Sequence, residues 1–95
     1  MRSYEMMFIL SPELASEEVE AAKSKVADII AQTEGELVDC DVWGRRRLAY
    51  EIKDFREGLY MLTHFKGTAE TVNELDRVLK ISDGFLRHMI VRKEE

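Results

Sequence analysis

The chain has 95 residues, of which 45% are hydrophobic and 35% charged, a balance that indicates one folded domain over residues 1–95 rather than a disordered segment. It contains no apolar run near the roughly 20 residues of a membrane span, no secretory signal pattern and only one cysteine, Cys40, which favours a reducing cytoplasmic setting. The net charge of −5 has the wrong sign for a protein that binds nucleic acid through its overall charge.

The first half of the chain predicts a strand followed by a helix. Residues 3–10 alternate, with Tyr4, Met6, Phe8 and Leu10 on one face. Pro12 ends this strand because its ring fixes the backbone and removes a hydrogen-bond donor. Ser16 is the expected N-cap of an amphipathic helix, and Gly35 is expected to supply the left-handed residue after it.

The second half predicts a hairpin, a helix and a last strand. Residues 36–53 are extended, with a bulge or a bend at Gly44 where the strand changes direction. Residues 54–58 form the turn, and residues 59–66 return. Thr68 caps a second helix, and residues 85–92 form the last strand. On the sheet face that does not form the core, this strand is expected to place either the pair Leu86 and Ile90 or the pair Phe85 and Met89.

The resulting order is β-α-β-β-α-β. Two right-handed crossovers joined by a hairpin predict an α+β, ferredoxin-like fold: a four-stranded antiparallel sheet with both helices on one face. The other face has to be polar, be covered, or serve for binding. Because several strands carry large apolar groups on both faces, including Met7, Ile9, Tyr60 and Leu62, we expect something to dock there.

The segment from Gly44 to Lys53 (GRRRLAYEIK) carries the densest cationic cluster. Three arginines precede an alternating pattern in which Leu48, Tyr50 and Ile52 share one face. Arginine presents planar, forked donors that suit phosphate or carboxylate oxygens. An edge strand that carries charge only to prevent aggregation remains the alternative.

This segment resembles the signature of the family of the sixth protein of the bacterial small ribosomal subunit. The opening Met1-Arg2-Ser3-Tyr4-Glu5, the strand exit at Leu10-Ser11-Pro12 and a closing strand with Arg87, Met89 and Val91 also resemble that family. The resemblance covers the whole chain. It implies a structural ribosomal protein, located on the cytoplasmic ribosome, that binds the central domain of small-subunit rRNA as a heterodimer with the eighteenth small-subunit protein.

Two sets of contact residues are expected: the first is implied by the resemblance, and the second also by arginines that flank an aromatic residue on an apolar strand face, a setting that suits a protein interface. The RNA-binding set is Arg2, Tyr4, Arg87, Arg92 and Lys93. The partner-binding set is Arg45, Arg46, Arg47, Tyr50, Tyr60 and Leu62. We expect the first and fourth strands to lie on opposite sides of the sheet, so that the RNA-binding residues form one patch only if the chain ends converge.

Charge is distributed unevenly in a way that fits this interpretation. Residues 1–43 hold 3 basic and 10 acidic side chains, a net −7, whereas residues 44–95 hold 11 basic and 9 acidic ones, a net +2. The local basic regions can contact RNA, but we expect the chain to bind weakly alone and to need a basic partner.

Catalytic and cofactor sites are not predicted. The sequence has no phosphate-binding loop and no nucleophile elbow, and His64, His88 and Cys40 lack metal-ligand spacing. We therefore expect no enzyme activity, no metal, no cofactor, no membrane contact and no small-molecule substrate. The alternative is a small ferredoxin-like regulatory or dimerisation module that binds a ligand or itself through the open sheet.

Overall fold

The alternation in the first strand and the two amphipathic helices build a two-layer structure. The computed structural model describes residues 1–93 and confirms the order β-α-β-β-α-β. The elements are β1 (Arg2–Leu10), α1 (Ser16–Gln32), β2 (Glu36–Ile52), β3 (Phe55–Gly67), α2 (Ala69–Lys80) and β4 (Phe85–Arg92). All strand pairs are antiparallel, and the strand order in the sheet is β2-β3-β1-β4.

The main core lies between the sheet and the two helices. Met6, Phe8 and Leu10 of β1 are fully buried there, as the alternation predicts. Leu75 of α2 and Val26 of α1 cover them from the helix layer. The helices therefore cover one face of the sheet, and the opposite face, here called the open face, carries none of them.

The ends of α1 differ from the prediction. Ala15, not Ser16, is the N-cap, and the Glu18 carboxylate accepts a hydrogen bond from the Ala15 backbone N–H at 2.9 Å. After the helix, Glu34 and not Gly35 adopts the left-handed conformation, with φ of 62°. Gly35 is needed for a different reason, since a Cβ there would lie 2.7 Å from the Lys66 carbonyl oxygen.

The β2–β3 hairpin is longer and its turn is tighter than predicted. Lys53 and Asp54 alone form the turn, with φ of 51° and 69°, as in the mirror-image turns that suit twisted hairpins. Phe55 and Gly58, which the sequence pattern places in the turn, belong to β3. The bulge at Gly44 is confirmed, with φ of 95° and a register shift between Val42 and Gly44.

A second bulge makes β4 break its alternation. Leu10 pairs with Phe85 and Ile9 pairs with Arg87, so that Leu86 is the extra residue. Phe85 packs into the main core, while Leu86 packs on the open face with Ile9. Neither predicted pair is therefore right, because strict alternation cannot describe a strand that contains an inserted residue.

Candidate interaction surfaces

Four of the five predicted RNA-binding residues meet at one end of the sheet. β1 and β4 are direct neighbours, so the expectation that they lie on opposite sides is wrong. Tyr4 pairs with Arg92, the Lys93 backbone N–H donates to the Ser3 carbonyl at 2.9 Å, and Arg2 precedes Tyr4 on the same strand face. We call Arg2, Tyr4, Arg92 and Lys93 the terminal cluster.

The members of the terminal cluster are not equally available to a ligand. Tyr4 is half-buried and its ring stacks on Phe65 with centroids 5.3 Å apart. The Lys93 ammonium lies 3.6 Å from a Glu5 carboxylate oxygen. Arg2 and Arg92 are exposed and make no ion pair within residues 1–93. Their guanidinium groups are therefore the ones positioned to bind an external anion.

The structure places Arg87 away from the terminal cluster. Arg87 pairs with Ile9, seven residues along β1 from Arg2, which is roughly 24 Å at strand spacing. Its Nη1 donates a hydrogen bond to the Tyr50 hydroxyl at 2.6 Å. The predicted RNA-binding residue Arg87 thus lies beside the predicted partner-binding residue Tyr50, and the terminal cluster does not include it.

The arginine triplet lies on β2, at the edge of the sheet. Arg45 Nη2 donates to the Pro12 carbonyl at 3.0 Å, which ties the hairpin to the β1–α1 loop. The Arg46 guanidinium lies 5.3 Å from the centre of the Trp43 ring, a favourable cation–π arrangement. Trp43 is 45% exposed. It therefore does not fill the core, and it joins the triplet in one exposed surface that the sequence motif did not include.

The tip of the β2–β3 hairpin, here residues 48–54, is attached to the start of β4. Leu48 is buried against Ile9 and Leu86 on the open face. Lys53 Nζ donates to the Phe85 carbonyl at 3.4 Å. The Tyr50–Arg87 hydrogen bond adds a third link, although Tyr50 itself is 61% exposed. The tip and β4 consequently form one surface.

The middle of the open face is apolar. Tyr60 and Leu62 of β3 are half-buried there, beside Met7 of β1. Met89 and Val91 of β4 are 52% and 48% exposed. A shallow depression of about 120 Å³ lies among these side chains, lined by Met7, Ile9, Tyr60, Arg87, His88 and Met89. This apolar strip runs from the hairpin tip toward the end of the sheet that bears the terminal cluster, where Arg2, Tyr4 and Arg92 lie on the helix-covered face.

A polar cluster that periodicity does not reveal lies on the same face. His64 lies between Asp39 and Glu5, at 2.7 Å and 3.0 Å. The three residues are far apart in the chain, and only strand pairing brings them together. Within residues 1–93, no group of three or more His, Cys, Asp or Glu side chains is arranged to hold a metal ion.

His88 and Cys40 lie toward the helix layer. His88 Nε2 lies 2.8 Å from Asp76 Oδ1 of α2. Cys40 is half-buried against the main core, and its sulfur accepts a hydrogen bond from the Thr63 hydroxyl at 3.4 Å. Both side chains therefore connect elements of the fold. Neither α1 nor α2 is long and apolar enough to cross a membrane.

Comparisons with known proteins agree with the architecture. The family model described as Ribosomal protein S6 matches residues 3–92. The small ribosomal subunit protein bS6 of Syntrophomonas wolfei is 53% identical over 96 residues, which cover 100% of this chain and 99% of that protein. The crystal structure of 30S ribosomal protein S6 from Thermotoga maritima superposes with a TM-score of 0.89 at 32% identity, over 97% of this chain and 87% of that one.

A more distant likeness concerns the fold alone. The solution structure of the C-terminal domain of the MgtC protein from Mycobacterium tuberculosis has a TM-score of 0.69 at 11% identity, and covers 100% of this chain and 90% of that domain. At this identity the shared architecture carries no information about what is bound.

Proposed function

This chain belongs to the ribosomal protein S6 family and is a non-enzymatic, structural component of the bacterial small ribosomal subunit. We propose that it binds the central domain of small-subunit rRNA as a heterodimer with the eighteenth small-subunit protein. The observation that carries the proposal is the open face, whose exposed apolar strip includes Met89 and Val91 and runs from Arg87 toward the end of the sheet that bears the terminal cluster.

RNA binding is assigned to the terminal cluster. Arg2 and Arg92 expose guanidinium groups without internal ion pairs among residues 1–93, and such groups bind phosphate oxygens in a bidentate way. Lys93 adds a cation held near Glu5. Tyr4 contributes mainly by fixing the strand end through its stack on Phe65. Arg87 adds a phosphate contact at the other end of β4, where its guanidinium is oriented by the Tyr50 hydroxyl.

Protein binding is assigned to the apolar strip and the hairpin. Tyr60 and Leu62 supply half-buried apolar surface in the sheet. Tyr50 and Arg45 to Arg47 supply exposed aromatic and guanidinium groups, the side-chain types that are enriched in protein interfaces and among their energetic hot spots. Docking there would cover Met89 and Val91, which a free monomer leaves in water.

The charge of the chain supports a basic partner. A net charge of −5 repels RNA at long range, and the terminal cluster by itself offers few phosphate contacts. A cationic partner seated on the open face would offset this charge and extend the basic surface from the terminal cluster toward Arg87. Cooperative binding of RNA by the pair follows from this arrangement.

The test is co-purification followed by RNA binding at a stated salt concentration. We expect the pair to bind a central-domain rRNA fragment much more tightly than this chain alone. Equal affinity of the isolated chain and the pair would contradict the cooperative mechanism. Self-association through the open face, the remaining alternative, would appear as a dimer of this chain that the partner does not dissociate.

A further inference from the structure

Both ring nitrogens of His64 face carboxylates. Nδ1 lies 2.7 Å from Asp39 Oδ1 and Nε2 lies 3.0 Å from Glu5 Oε1. Ionised carboxylates only accept hydrogen bonds, and a neutral imidazole carries a single N–H, so only the imidazolium can donate to both. We propose that His64 is a proton-dependent clamp that fastens the edge strand β2 to the central strand β1 across the open face, and that it loosens as the pH rises.

The clamp lies beside an interruption of the backbone ladder between β2 and β3. A register shift between Leu37 and Asp39 leaves Val38 unpaired in β2, and a bulge of this kind removes ladder hydrogen bonds. β2 and β1 each pair with β3 and not with one another. The side chain of His64 on β3 therefore connects β2 and β1, the strands on either side of β3, next to the bulge at Val38.

The other charged groups near His64 are compatible with an imidazolium that donates to both carboxylates. Lys93, beyond the end of β4, lies 3.6 Å from the same Glu5 oxygen that faces His64. On β3 itself, Lys66 lies two residues along the same face and pairs across with Glu36 of β2. With the imidazolium, the four groups Glu5, Asp39, His64 and Lys93 are neutral together. Without its proton they carry one net negative charge.

The direction of the pH effect follows from the local interactions. The hydrogen bond to Asp39 raises the pKa of His64 above its ordinary 6.5, desolvation offsets part of that increase, and the hydrogen bond to Glu5 adds to it. A group whose pKa is higher in the folded than in the unfolded state stabilises the fold fully below the unfolded value. The stabilisation is therefore complete below about pH 6.5 and is lost as the pH rises through the folded pKa.

The proposal does not depend on the ribosomal role, and the isolated chain tests it. NMR titration of the imidazole should give a pKa for His64 above 6.5, and Asp39→Asn and Glu5→Gln should each lower it. Urea denaturation of the wild type and His64→Gln at several pH values gives the second measurement. We expect the difference between their midpoints to shrink as the pH rises above 6.5.

The matched control is His88→Gln. His88 faces one carboxylate, Asp76, and either protonation state of an imidazole can donate to a single acceptor. The midpoint difference for this variant should change less over the same pH range. A His64 pKa at or below 6.5, an unchanged value in Asp39→Asn, or an equal pH dependence in both glutamine variants would each overturn the clamp. The titrations in Asp39→Asn and Glu5→Gln decide the matter even if His64→Gln does not fold.

Discussion

The Tyr50 hydroxyl and Arg87 Nη1 are 2.6 Å apart, and their hydrogen bond joins the tip of the β2–β3 hairpin to the edge strand β4. The sequence pattern assigns these two residues to separate functional sets, one for protein and one for RNA. Since each orients the other, removing either side chain disturbs both. A variant at this contact therefore affects both interfaces, and its effects on protein binding and on RNA binding have to be measured separately.

Arg2→Ala should weaken RNA binding by the assembled pair and flatten its salt dependence. Arg2 is exposed and free of ion pairs among the described residues, so one lost phosphate contact should reduce the slope of log affinity against log salt by about one unit. Filter binding at several salt concentrations, with partner saturating, measures this. Lys80→Ala on α2 is the control and should leave the slope unchanged. An unchanged slope for Arg2→Ala would remove this residue from the RNA contacts.

Arg87→Ala should also flatten the salt slope by about one unit, and should in addition lower affinity for the protein partner because Tyr50 loses its hydrogen-bond donor. Tyr50→Phe separates the two effects, since it removes the hydroxyl and leaves the guanidinium. We expect Tyr50→Phe to reduce partner affinity without changing the salt slope. If it flattens the slope as much as Arg87→Ala does, the hydroxyl is needed to position Arg87 on RNA.

The double variant Arg46→Ala with Tyr50→Ala should mainly reduce affinity for the protein partner. It removes the guanidinium that stacks on Trp43 and the exposed ring at the hairpin tip, and such anchors each contribute about 1–2 kcal/mol or more at interfaces. Partner affinity and RNA affinity are measured separately, the latter with saturating partner. Arg77→Ala, on the helix side, serves as the charge control. A loss of RNA binding at saturating partner that exceeds the loss in Tyr50→Phe would mean that the triplet touches RNA directly, since the Tyr50–Arg87 hydrogen bond is missing in both variants.

Gly58→Ala should destabilise the fold by about 1–3 kcal/mol. An added Cβ would overlap the Cγ2 methyl group of Ile9 and would also approach Leu48, so the cluster that holds the hairpin tip would have to shift. The free energy of unfolding from urea titration reports the loss. In an Ile9→Ala background the same substitution should cost less, because the colliding methyl is gone. An equal cost in both backgrounds would locate the strain elsewhere.

Substituting His64, His88 and Cys40 together should leave RNA and partner binding intact once the protein is folded. Their contacts are internal to the fold, so we expect a loss of stability of about 1–3 kcal/mol and no loss of affinity. Binding is measured well below the unfolding temperature and compared with circular dichroism. A folded triple variant that no longer binds RNA would reveal a functional site at one of these positions.

Asp76→Asn should make the fold less sensitive to acid. The hydrogen bond from His88 holds the pKa of Asp76 below its ordinary 3.8. A carboxyl whose folded pKa is depressed stabilises the fold above its unfolded pKa, and this is lost as the pH falls through the folded value. The wild type and the variant should therefore converge in stability below pH 3.8. A constant difference between them from pH 3 to pH 6 would argue against this linkage.

The alternation of β1 predicted its buried face correctly because both neighbours of β1 are strands and its pairing has no bulge before Leu10. The same rule failed for β4, where the inserted Leu86 reverses which residues face the core. The position of Gly35 after α1 predicts a left-handed conformation, but the close approach of the Lys66 carbonyl is what requires glycine there. A local sequence pattern predicts the periodicity of one element, but it does not predict which atoms of a distant strand lie close to it.

The candidate surfaces show the same limit. The arginine triplet and the terminal residues were recognisable from the sequence, and their residue types pointed to anions and interfaces. The contact of Arg87 with Tyr50, 37 positions away in the chain, and the position of His64 between Asp39 and Glu5 depend on strand order and register. The charge pattern within one segment cannot supply that information.

The first strand of the chain completes its pairing only with the last. β1 lies between β3 and β4, so one of its edges stays without a partner during synthesis until residues 85–92 have left the ribosome. Contacts between residues so far apart in the sequence slow folding. A strand with an unpaired edge and an exposed apolar face is prone to pair with other chains. A nascent chain that stalls after α2 would therefore expose β1 on its β4 side, and a supplied peptide with the sequence of β4 should be able to occupy that position.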